Sequence, residues 1–133
     1  MLMTPAEYTE LIVMLRDSTG LHATNAVGLF TAYIVAMYLA GSKLSRFQLA
    51  LVTTLYSIFY IAPARTAIES ISHSYLLANR LVIEFPDQDY IVGTSNFVSQ
   101  EAATFPLIAG FALAWIGSIA FVWDIRRKKG NEE

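Results

Sequence analysis

Cysteine is absent from the 133-residue sequence. That single absence removes disulfides, Cys-ligated zinc, iron–sulfur clusters and thiol nucleophiles together, and it leaves the redox compartment undetermined. Charge is scarce as well: 15% of the residues are Asp, Glu, Lys or Arg, against 55% apolar. Such a balance fits an integral membrane protein better than a water-soluble domain. The opening MLMTPAEYTELIVMLRDSTG has no basic leader before an apolar core, and it carries Glu7, Glu10 and Asp17. It is therefore expected to stay on the mature chain rather than be cleaved as a signal peptide. Phosphate-cradling glycine loops, nucleotide signatures and a G-x-S-x-G nucleophile turn are also missing, so no catalytic residue and no cofactor is expected.

What the sequence does contain is three runs almost free of charge, at 21–40, 47–64 and 105–123. Each is close to the roughly 20 residues that span a hydrocarbon core as a helix. Only a helix satisfies the backbone of such an isolated run in lipid. The fold class that follows is an all-α integral membrane protein, one domain over 1–133. It has three transmembrane helices, at 22–40, 46–62 and 105–123, and two extramembrane amphipathic helices, at 5–17 and 64–85.

Lys43 and Arg46 lie between the first two runs, and Arg126, Arg127, Lys128 and Lys129 follow the third. Arg16, Arg65 and Arg80 are all that fall on the other side. The positive-inside rule then places the short 41–46 connection and the basic tail at 126–133 in the cytoplasm, with the N-terminus outside a cell membrane. The tail is expected to attract anionic lipid headgroups. Nucleic acid is not an expected partner, because the basic residues cluster at the membrane.

Thr4-Pro5-Ala6-Glu7 has the form of a capping box with proline at the first helical position. It predicts a helix from Pro5 to about Asp17, broken by Ser18-Thr19-Gly20. Pro63 is expected to kink the second crossing or restart it at the outer boundary. Beyond it Ala64, Ile68, Ile71, Tyr75, Ala78, Val82 and Phe85 recur in steps of three and four, a heptad-like seam read as an assembly surface of coiled-coil type. Asp87 and Asp89 then form a turn, followed by an extended piece at 90–92 and a helical turn near 96–99, and Pro106 opens the third crossing.

Two further patterns lie inside the runs. Thr24, Gly28, Ala32, Ala36 and Ala40 repeat every four residues on the first helix, and Gly110, Ala114 and Ser118 do so on the third. Ridges of small side chains let helices approach closely in lipid, so both read as helix–helix contacts within the chain or between copies. Thr53, Tyr56, Ser57 and Tyr60 form a weakly polar stripe on the second helix. The stripe is a candidate pore lining in an oligomer. Hydroxyls bonded to their own backbone or to a facing helix are the preferred reading, because no ionisable carboxylate, Lys or His accompanies them.

The densest reactive cluster is ARTAIESISHSYLLANR, 64–80. Glu69 and His73 share a helix face, but a metal site needs another good ligand and the other histidine is His22. A solvated face with Arg65–Glu69 and Arg80–Glu84 pairs is the ordinary reading, and no metal is expected. The function expected is a small non-enzymatic membrane protein that assembles with itself, with a homo-oligomeric pore or channel as its most concrete activity. The alternatives are an accessory or scaffolding subunit among other membrane subunits, and a holin-like permeabilising protein. The outside N-terminus, three crossings and basic tail resemble one holin topology. An enzyme using Glu69 and His73 is the weakest alternative.

Overall fold

The computed structural model describes residues 3–86 and 100–129. Regular structure among them is helical throughout: α1 Pro5–Ala40, α2 Arg46–Glu84 and α3 Gln100–Lys129. Each contains a stretch long and apolar enough to cross a membrane. At about 1.5 Å per residue, α1 runs about 54 Å and α2 about 58 Å, well beyond a hydrocarbon core of about 30 Å.

The start of α1 is fixed by the expected capping box. The Glu7 amide donates to the Thr4 hydroxyl at 3.3 Å, and the Glu7 carboxylate accepts the Thr4 amide at 2.6 Å. That backbone bond, with the Thr4 hydroxyl second, holds the Glu7 carboxyl below the usual carboxylate range. Ser45 caps α2 in the same way, with Gln48 as its reciprocal partner at 3.2 and 2.9 Å. Between these helices Gly41 donates to Met37 O at 2.8 Å. A Cβ at Gly41 would lie 2.5 Å from that same oxygen, so the turn is built for glycine.

Three expected boundaries are corrected. α1 passes through Ser18-Thr19-Gly20 without a break, α2 passes through Pro63 without restarting, and α3 begins at Gln100 with Pro106 inside it. Residues 5–17 and 64–85 are therefore not separate helices but continuations of the crossing ones. A mid-helix glycine costs about 1 kcal/mol and a proline about 3, whereas a growing helix gains one backbone bond per added residue. Thr19 and Thr24 also tie back to Leu15 O and Gly20 O at 2.9 Å each, inside the helix rather than at an end. α2 does end where Pro86 requires, with Phe85 as its last capped residue, donating to Leu81 O at 3.0 Å. The turn at Asp87 and Asp89, the extended piece at 90–92 and the helical turn near 96–99 lie outside the described residues.

Side-chain bonds fix the register. Tyr8 meets Glu84, Ser18 meets Ser70 and Tyr33 meets Thr53, so α1 and α2 are antiparallel along their lengths. Gln100 donates to Ser72, Tyr60 to Phe111 O and Trp115 to Ser57, so α3 is antiparallel to α2 in turn. In this register the three charge-free runs lie side by side and form one slab. Continuous helices that align their uncharged stretches at a common level are what a bilayer selects. The chain is an all-helical membrane protein on these grounds.

Since Gln100 stands level with Ser72, α3 covers only part of the α1–α2 hairpin. The core divides accordingly. Ala26, Tyr33, Met37, Tyr56, Tyr60, Ala64 and Val122 form a three-helix cluster in the slab. Tyr8, Ile12, Ala78 and Leu81 form a two-helix cluster at the far end of the hairpin. Between the clusters the α2 row facing α1 is small: Ala67, Ser70 and Ser74 are all buried.

Candidate functional site

The stripe Thr53, Tyr56, Ser57 and Tyr60 sits at the centre of the bundle, where its polar atoms are spent on neighbours. The Tyr33 and Tyr56 rings stack at 3.9 Å and 6°. Beside them the Tyr33 and Thr53 hydroxyls are 2.9 Å apart. Ser118 donates to the Tyr56 hydroxyl at 3.1 Å, Trp115 Nε1 to the Ser57 hydroxyl at 3.0 Å, and Tyr60 to Phe111 O at 3.0 Å. Ser57 bonds back to Thr53 O at 2.8 Å. In a membrane each such bond is worth about 0.6 kcal/mol on average. Their joint effect is to fix how α3 rotates against α2. Tyr33 and Trp115 were not singled out in the sequence. An aromatic with a polar tip in a charge-free run is the signal that would have found them, because the tip must find a partner there.

The cluster at 64–80 separates by face. Arg65 pairs with Glu69 at 2.7 Å, both exposed, so the pair adds little stability. His73 is exposed, and the register set by Ser18–Ser70 leaves His22 about two turns away from it. Among the described residues no three His, Asp or Glu side chains gather as a metal site. The expected Arg80–Glu84 pair is replaced: Glu84 accepts a hydrogen bond from Tyr8 at 2.9 Å. Shallow grooves of about 650 and 350 Å³ flank the Arg65–Glu69 pair, and their walls are otherwise apolar or hydroxylic.

Of the seam residues, Ala64 and Ala78 are buried against the rest of the chain. Ile68, Ile71, Tyr75 and Phe85 are half-buried and Val82 is exposed. The row that α2 buries is Ala64, Ala67, Ser70, Ser74, Ala78 and Leu81, turned slightly from the expected one. Ile68, Ile71, Tyr75 and Val82 flank that row and stay at least partly uncovered. The two small-residue ridges have different fates. On α3, Ser118 is buried, Ala114 packs against the slab core and Gly110 is open. On α1, Thr24, Gly28, Ala32, Ala36 and Ala40 are all exposed, and a Cβ built on Gly28 meets nothing within 4 Å.

The bond to Glu84, burial and the nearby carboxylate charge raise the Tyr8 phenol above its ordinary value, with Arg80 opposing. A raised folded-state value means the stabilisation is complete below the unfolded phenol value of about 10 and is lost as pH rises through the folded one. Melting in micelles should therefore fall more steeply above about pH 10 for the native chain than for Tyr8→Phe. Parallel curves for the two would show that the bond is not coupled to folding.

No family model matches this chain, and no curated protein or solved structure matches it either.

Proposed function

We propose that this is a non-enzymatic, multi-pass membrane protein that assembles with copies of itself. The α1–α2 hairpin projects outside a cell membrane, and the turn at 41–45 and the basic tail lie in the cytoplasm. The observation that carries the reading is the outward ridge of α1. Five small residues in register, uncovered by the rest of the chain, offer a flat strip where another helix backbone can approach closely. The projecting hairpin adds a second reason. Val13, Met14, Leu76 and Ile83 are exposed there, beyond the slab, where water is a poor neighbour for them.

Assembly, rather than conduction, is the activity this geometry supports best. The hydroxyl stripe already faces the chain's own helices, so a pore would need other lining residues. The same surfaces would suit an accessory subunit bound to a different membrane protein, and a holin-like role shares the topology.

Native mass measurement of the full chain in mild detergent tests the proposal. One homo-oligomer is expected, and Gly28→Leu or Ile71→Glu should convert it largely to monomer. A native chain that is monomeric at all concentrations would overturn it. Because the sequence has no cysteine, single substitutions report orientation cleanly. Glu10→Cys should react with a membrane-impermeant maleimide on intact cells, and Lys43→Cys only after permeabilisation.

A further inference from the structure

The first turns of α2 and the last turns of α3 enclose a cleft of about 780 Å³ at the basic end of the bundle. Arg46, Arg126 and Arg127 line it together with Leu49, Ile119 and Val122. Arg46 and Arg127 are exposed, whereas Arg126 is half-buried. Its Nη1 is shut away from solvent and has no hydrogen-bond partner. A guanidinium is charged at every accessible pH, so arginines that line a cleft together call for an anion in it. Among the described residues the nearest carboxylate on that part of α3, Asp124, is held by Lys128 at 2.7 Å. Three cations therefore border a cleft whose other walls are apolar and hydroxyl side chains, with no carboxylate among its described lining residues.

We infer that this cleft binds the phosphate of an anionic phospholipid, with an acyl chain laid along Leu49, Ile119 and Val122. A phosphate oxygen pair fits the planar fork of a guanidinium in bidentate fashion. Free inorganic phosphate would meet the same cations. The apolar lining and the position of the cleft at the edge of the charge-free slab favour the lipid. Trp123, 76% exposed beside the site, belongs to the level where lipid headgroups begin. The site differs from diffuse attraction to the basic tail in depending on particular arginines. It rests on the membrane reading of the three helices and is independent of self-assembly.

The test uses the full chain in detergent, with lipid adducts counted by native mass measurement against added phosphatidylglycerol and phosphatidylcholine. One phosphatidylglycerol per chain should persist after phosphatidylcholine has been stripped. Arg126→Gln should weaken its retention at least about fivefold, and Arg46→Gln should weaken it similarly from the opposite wall. Lys43→Gln removes an exposed charge at the same end of the bundle that does not line the cleft, and it should leave retention unchanged. Millimolar inorganic phosphate should not displace the lipid. Equal retention of both lipids, equal loss in Lys43→Gln and Arg126→Gln, or full displacement by inorganic phosphate would each overturn the assignment. A helical spectrum retained by Arg126→Gln and Arg46→Gln separates lost binding from lost folding. A chain that fails to enter liposomes at all would instead overturn the membrane reading.

Discussion

Tyr60→Ala should lower the stability of the folded chain in micelles by about 3 kcal/mol, whereas Tyr60→Phe should cost only about 1 kcal/mol. Tyr60 is 2% exposed, stands 5.5 Å from the Tyr56 ring and 6.3 Å from Phe111, and donates to Phe111 O. Truncation to alanine removes the ring contacts between α2 and α3 together with the hydrogen bond. Lipid tails are as apolar as the ring, so the transfer contribution of a water-soluble core is absent and the cavity and lost contacts dominate. Phenylalanine keeps the ring and loses only the bond. Helix loss followed by circular dichroism during titration with a denaturing detergent measures both values. Equal effects of the two substitutions would mean that ring packing does not hold α3 in place.

Leu81→Asp is expected to have a larger but local effect. Leu81 is 0% exposed and packs with Tyr8, Ile12 and Ala78 in the cluster at the far end of the hairpin. A carboxylate there has no cationic partner inside the cluster, and leaving a buried charge unpaired costs about 3–5 kcal/mol. The slab cluster shares no residue with this one. The far ends of α1 and α2 should therefore part while the membrane half stays folded. Trypsin reads the difference, because Arg16 and Arg80 lie on the half of the hairpin away from the slab. Cleavage at both should accelerate by more than tenfold, in line with the expected cost, while most of the helical signal remains. Unchanged cleavage, or collapse of the entire helical signal, would show that the two clusters are not separable.

Much of this architecture was legible because it rests on long or chemically strict patterns. The three uncharged runs are such patterns, and so is the capping box at Thr4 and Glu7. What misled was local. Ser18-Thr19-Gly20, Pro63 and Pro106 each weigh against a helix by an amount that a long, packed helix outweighs. The buried row of α2 was displaced for another reason. A search for burial follows large apolar residues and finds Ile68, Ile71 and Tyr75, yet the residues that α2 buries there are Ala67, Ser70 and Ser74, small side chains of the kind that let helices pack closely. At the candidate site the hydroxyl stripe was visible but its partners on α1 and α3 were not, since nothing in the spacing of Tyr33 or Trp115 states which helix each will meet. The cleft at the basic end was invisible for the same reason: its cations stand on two helices, with Arg46 eighty positions before Arg126 in the chain.

The unbroken course of α1 and α2 has a mechanical consequence. Helices that run from the projecting hairpin through the slab without a joint behave as a stiff shaft, weakened only where Pro63 omits one backbone bond. Tyr8 and the strip from Thr24 to Ala40 stand on one continuous helix, so the direction in which the strip faces is tied to the packing at the far end.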